Sequence, residues 1–189
     1  MKKALLAFVL LLATLTAGAQ DIELTPDGAY EKKEVVTVDS ASAAVLYDRA
    51  MIALTDWTGP DGKAKAGIDY QNQETHTVVY KGTFSLGFKN TFPGDGWNRY
   101  ANFTLKVRCK DGRAHVTVTV GTMTGIYSRN NVERSWTIAE IKEAVKKSKG
   151  AKRKRGEMLL ADIVETADGI MAAMGAKLKS ADGGGDDDF

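Results

Sequence analysis

The groups in this chain able to do acid, base or nucleophilic chemistry are few and far apart. There are 2 histidines and 1 cysteine, at His76, His115 and Cys109. Neither histidine belongs to an HExxH pair or a Cys-rich ligand set, so no metal site and no cofactor are expected. Cys109 lies in an alternating apolar run, where a buried small hydrophobe is expected rather than a nucleophile. No nucleophile elbow, phosphate loop or dinucleotide fingerprint occurs, which argues against an enzyme. Asp-Gly pairs start at Asp27, Asp61, Asp95, Asp111, Asp168 and Asp182. They lack the alternating oxygen ligands of a calcium loop and read as turns.

Charge and aromatic groups offer binding chemistry instead. Lys81, Lys106, Arg108, Lys110, Arg113 and His115 fall on the polar phase of alternating strands. Such a face either holds an anionic ligand, such as a lipid headgroup or acidic glycan, or is a solvated face whose charge resists aggregation. Phe92, Trp97 and Tyr100 occupy a Gly- and Pro-containing segment that reads as a connecting loop. Aromatics there can grip a ligand, or fold back over the core. The run of Lys and Arg over residues 146–155 reads as a basic linker. Beyond it, Leu160, Ile163, Ala167, Ile170, Met171, Met174 and Leu178 recur at helical spacing. That stripe either packs on its own sheet or leaves Ile170, Met171, Met174 and Leu178 as a subunit interface, so a homo-oligomer is open.

The elements that position these groups follow from periodicity. Residues 34–38 form a β-branched strand, and Asp39 and Ser40 offer oxygens to cap a helix running to about Trp57. The triplet beginning at Asp39 also matches a short O-glycosylation signal, though the helix cap explains the same atoms. Gly59, Pro60 and Gly62 end that helix. From Lys63 to Thr124 the period is two. Ile68 and Tyr70 are expected to face one way, and Val78, Tyr80, Phe84, Leu86 and Phe88 share a phase. Asp111 and Gly112 form a two-residue hairpin turn. Pairing Lys110 with Arg113 sets Cys109 opposite Ala114, Val107 opposite Val116, Leu105 opposite Val118 and Phe103 opposite Val120. Every apolar residue then lies on one face, whereas a one-residue slip would mix the faces. Thr137 with Glu140 forms a capping box for a further helix. The fold class is α+β: a two-layer antiparallel sheet, in β-α-β-β-β-β order, with helices on one face and a C-terminal helical extension.

The first residues carry an address. Lys2 and Lys3, an apolar run and small residues at Ala17 and Ala19 have the layout of a secretory signal peptide, with cleavage expected before Gln20. Lys2 and Lys3 account for the whole formal charge of +2, leaving a neutral mature chain and no general attraction for polyanions. With 43% apolar and 26% charged residues it reads as a soluble protein with no membrane span after cleavage. One cysteine allows no internal disulfide. Gln20 stands where a lipoprotein would need cysteine.

The segment from Val35 to Val38, the helix start from Ala44 to Ala50, Trp57, Tyr80-Lys81-Gly82, and the strand from Phe103 to Val107 running into Lys110-Asp111-Gly112-Arg113 resemble a bacterial family. That family is domain of unknown function 4468, over about residues 34–124. The resemblance implies a TBP-like fold and export to the periplasm or outer envelope of a Gram-negative bacterium. It implies no activity and no catalytic residues. The expected organisation is a signal peptide (1–19), a leader (20–33), the TBP-like domain (34–124), C-terminal helices (125–179) and a disordered acidic tail (180–189). The expected function is a non-enzymatic module that binds an envelope protein, a glycan or an anionic lipid, and not nucleic acid. The alternative is a structural or assembly protein that associates through its last helix.

Overall fold

The computed structural model describes residues 22–55, 67–92 and 95–180. In chain order the elements are β1 (Tyr30–Thr37), α1 (Ala43–Thr55), β2 (Gly67–Asn72), β3 (Thr77–Phe92), β4 (Asp95–Lys110), β5 (Arg113–Tyr127), β6 (Glu133–Thr137), α2 (Ile138–Lys146) and α3 (Gly150–Lys179). The strands form one antiparallel 6-stranded sheet in the order β1-β5-β4-β3-β2, with β6 also on β5. β5 is long enough to hold two partners on the same edge. β1 pairs with its first half, from Arg113 to Val120, and β6 with its second, from Thr122 to Ile126.

The hairpin register worked out from the alternation is the one observed, from Lys110 opposite Arg113 to Phe103 opposite Val120. Its apolar phase is buried: Leu105, Val107, Ala114, Val116, Val118 and Val120 are all 0% exposed. Among the described residues three helices cover this face and none covers the other. α3 contributes Leu160, Ile163, Ala167, Ile170, Met171, Met174 and Leu178 to the core, and packs on β5, β1, α1 and α2. The residues weighed as a subunit interface, Ile170, Met171, Met174 and Leu178, are therefore interior to the monomer. Met171 is 1% and Leu178 0% exposed. The sheet supplies the apolar surface that the stripe needs.

Several expectations at element ends are corrected. Residues 30–33, read as leader, belong to β1, because Tyr30 to Lys33 pair with Val120 to Thr117. The strand β6 was not expected. It begins the segment read as helical only, and turns directly into the capping box of Thr137 and Glu140, which is present. The basic run is not a linker: Gly150 to Arg155 are the first turns of α3. Lys and Arg are good helix formers and need no apolar partner to be helical. Ile68 and Tyr70 do not share a face, since a bulge lies between them and Tyr70 is 49% exposed. Trp57, the turn at residues 59–62, the signal peptide and the tail at 181–189 lie outside the described residues.

Asp39 and Ser40 do not cap α1. Ser42 does so through its hydroxyl, which accepts from the Val45 N–H at 3.3 Å, and Asp111 joins it from the hairpin turn. The Asp111 carboxylate accepts from the Ala43 N–H at 2.8 Å. The same turn is tied further, because the Gly112 N–H donates to the Ala41 carbonyl at 2.8 Å and the Val38 N–H to the Gly112 carbonyl at 2.9 Å. One turn thus closes the hairpin and anchors the helix. A second close fit joins α2 to α3: a Cβ on Gly156 would stand 2.3 Å from a Val145 methyl carbon.

Two outcomes follow from this architecture. Asp111→Ala is expected to cost about 1 kcal/mol of stability in urea unfolding, while Asp39→Ala stays within about 0.5 kcal/mol. Equal effects would contradict the cap assignment. Truncation after Thr124 removes six large buried side chains of α3, worth on the order of 10 kcal/mol, comparable to the whole stability of a domain. The fragment should lose cooperative unfolding. A folded, soluble fragment would contradict the packing described.

Candidate functional site

Alternation along β4 and β5 places the residues between the buried ones on the open face. Lys106, Arg108, Lys110, His115 and Thr117 meet there, and with Lys33 they line a shallow depression of about 280 Å³. The pairings explain the grouping: Arg108 lies opposite His115 and Lys106 opposite Thr117 on β5, while Lys33 of β1 lies opposite Thr117 on its other side. The lining contains no carboxylate. Lys33 is held by Glu31 at 2.5 Å, but Lys106, Arg108 and Lys110 have no ion pair among the described residues. These three unpaired cations project from alternate positions of one strand, so their repulsion is relieved only by water or by an anion.

The expected basic residues divide. Lys106, Arg108, Lys110 and His115 come together in the depression. Arg113, opposite Lys110 at the turn, does not line it. Lys81 is separated from it on β3, opposite Thr104, and bonds to Asp69 at 3.0 Å. Lys33 and Thr117 were missed. Lys33 has the same two-residue phase as Val35, and extending the first strand back to Tyr30 would have found it. Farther along the same face the sheet is mostly polar: the Asn102 amide donates to the Thr122 hydroxyl at 2.9 Å, the Thr124 and Ser135 hydroxyls are hydrogen-bonded at 3.0 Å, and Glu133 lies opposite Ile126.

The aromatic segment is not a loop of convergent side chains. It is a β3–β4 hairpin paired down to Phe92 opposite Asp95; the side chain of Phe92 lies outside the described residues. Trp97 and Tyr100 are three positions apart on β4, so they point to opposite faces. Tyr100, opposite Thr124, is on the open face. Trp97 is on the helix side with Tyr127 and Trp136, at ring separations of 5.2 Å and 5.9 Å. Gly125 makes room for that cluster, since a Cβ there would lie 2.9 Å from Trp97. Of its described aromatic side chains, Trp97 therefore packs on the helix side and Tyr100 lies on the face of the basic groups.

The remaining chemical groups have structural places. The His76 carbonyl accepts from the Cys109 N–H at 2.9 Å, and its ring meets Tyr47 edge-on at 6.0 Å. Among the described residues no three of His, Cys, Asp and Glu converge as metal ligands would. Burial pushes the Cys109 thiol up to about 12, which keeps it protonated and unreactive at neutral pH. It should resist a disulfide reagent at pH 8 in the native state and react fully in denaturant; rapid native labelling would contradict its burial. Because its folded value is raised above the ordinary 9.0, this thiol favours folding below about pH 9 and that contribution is lost as pH rises toward 12.

Comparison with known proteins agrees with this architecture. Residues 33–121 match the family model described as a domain of unknown function (DUF4468) with TBP-like fold. A crystal structure of a DUF4468 family protein from Bacteroides ovatus is similar at a TM-score of 0.57 and 16% identity, over 87% of this chain and 93% of that one. A TBP-like protein from Parabacteroides distasonis gives a TM-score of 0.61 at 11% identity, over 85% of this chain and 99% of that one. No curated protein gives a match. These likenesses extend beyond the matched segment and establish the fold, with its helical extension, but not a site. Residues 33–121 of the chain thus match the model of the DUF4468 family, and the chain shares the TBP-like fold of the solved structures it resembles.

Proposed function

We propose that this protein is an exported, non-enzymatic binding module that holds an anionic ligand on the open face of its sheet. The observation that carries the reading is the depression lined by Lys33, Lys106, Arg108, Lys110, His115 and Thr117, whose lining has no carboxylate and three of whose cations have no ion pair among the described residues. Its shallowness and openness suit a headgroup or chain of acidic sugars presented from a surface, rather than a small molecule enclosed on all sides. Export rests on the signal-like segment with its small residues at Ala17 and Ala19, and it puts anionic envelope lipids and glycans within reach. Nucleic acid is not the partner proposed for an exported chain. No helix among the described residues is long and apolar enough to cross a membrane.

Sedimentation with vesicles containing phosphatidylglycerol, against neutral phosphatidylcholine vesicles, and a parallel titration with the acidic glycan alginate test the reading. Each cation near an anionic surface contributes on the order of 1 kcal/mol. Lys106→Glu with Arg108→Glu should therefore weaken binding to the retained probe by at least about tenfold without changing the unfolding midpoint. Arg113→Glu, outside the depression, should cost less. Binding to neither probe, or equal loss from all three substitutions, would overturn the site. The intact mass of the chain recovered from its host's periplasm or medium should correspond to a start at Gln20; a retained Met1 would overturn export by this route.

A further inference from the structure

A second cationic group lies on the opposite side of the sheet, where the β3–β4 hairpin meets the first turns of α3. Arg99 is on the helix side of β4, between Trp97 and the fully buried Ala101. One of its terminal nitrogens donates to the Leu86 carbonyl at 2.6 Å, at the bulge where β3 shifts register. Its Nε–H is buried with no hydrogen-bond partner. An unpaired charged donor away from water is costly, and such atoms call for an explanation in a well-packed fold. Lys89 is on the same side, as the cross-strand partner of Trp97. Burial, then the charges of Arg155 and Arg99, hold its ammonium below the ordinary lysine value.

The helix end adds to the imbalance. The first turn of α3 has no acidic residue, and Lys149 at its N-cap makes no side-chain cap. Lys152, Arg153, Lys154 and Arg155 crowd the positive end of the helix dipole, where cations are disfavoured and anions favoured. Arg153 is answered by Glu157 at 2.7 Å. Arg155 instead turns its Nε–H to the Ala151 carbonyl of its own helix at 3.2 Å. Burial disfavours the charged form of Arg99, and the nearby Asp162 offsets this only in part and makes no ion pair with it. Among the described residues three cations thus face one carboxylate around a donor with no partner.

We propose that a phosphate group, free or as a monoester, binds between the β3–β4 hairpin and the start of α3, with Arg99 as its hydrogen-bonding fork and Lys89 and Arg155 as its counter-charges. A guanidinium with its Nε–H free and one terminal nitrogen already fixed is positioned for a side-on oxyanion, and two further cations suit a dianion better than a carboxylate. The group also offsets the uncapped dipole of α3.

Isothermal titration of the intact chain with inorganic phosphate, and separately with glucose 6-phosphate, tests this. Arg155→Glu changes an exposed cation and Lys89→Glu a half-buried one; both leave Arg99 in place, and retention of the fold is checked by circular dichroism. Saturable one-to-one binding is expected, about tenfold weaker in each variant and unchanged in the Lys106→Glu, Arg108→Glu protein. Tighter binding of the ester assigns a monoester ligand, and equal binding assigns the phosphate group alone. Absence of saturable binding to either probe, or binding that survives both hairpin and helix substitutions, would overturn the proposal. Binding lost only in the Lys106→Glu, Arg108→Glu protein would overturn it in favour of the open face.

Discussion

A sheet that buries one face must be given a cover, and in this protein the cover comes largely from outside the family segment. Ala114, Val116, Val118 and Val120 on β5 are fully buried because α3 lays its apolar stripe across β5 and β1. Strand alternation then fixes everything on the other side: whatever lies between the buried positions must face out. Lys106, Arg108 and Lys110 are collected on one open surface by the same register that buries Leu105, Val107 and Cys109. The candidate site is therefore a consequence of the core, and a register slip would destroy both.

The second organising feature is the turn at Asp111 and Gly112. Its side chain and backbone reach Ala43, Ala41 and Val38, so the start of α1 and the end of β1 are fastened to the tip of the hairpin. The basic depression lies just inside that tip. Pinning the tip limits the splaying of β4 from β5 that would separate Lys106, Arg108 and Lys110 from His115 and Thr117, which links the local cap to the geometry of the open face. At the far end of the sheet, Trp97, Tyr127 and Trp136 pack over Gly125 on the helix side. The cations of the depression, whose lining has no carboxylate, are thus gathered at the hairpin end of the open face.

Much of this was legible in the sequence where two signals agreed. The hairpin register could be derived because the Asp-Gly turn and the apolar alternation specified the same pairing, and the capping box at Thr137 because both partners are local. The α3 stripe was legible as a stripe, but spacing alone does not say whether a sheet or a second copy covers Met171 and Leu178. The errors arose where the deciding contact is distant in sequence. Asp111 caps a helix 68 residues earlier, a bulge turns Tyr70 outward, and Lys33 joins the site only through pairing with β5. The aromatic segment was misread because its glycines and proline signal a turn without revealing the strands that flank it. The Arg99 cluster gave no sequence signal, since Lys89, Arg99 and Arg155 meet only in the fold.

Whether a ligand is held on the open face near the hairpin tip is tested most directly by amide chemical shifts of the isotopically labelled protein during titration with phosphatidylglycerol bicelles. The largest shifts are expected at Lys33, Lys106, Arg108, Lys110, His115 and Thr117, fading toward Asn102 and Thr124. Shifts absent at these residues, or centred on the helix side, would contradict it.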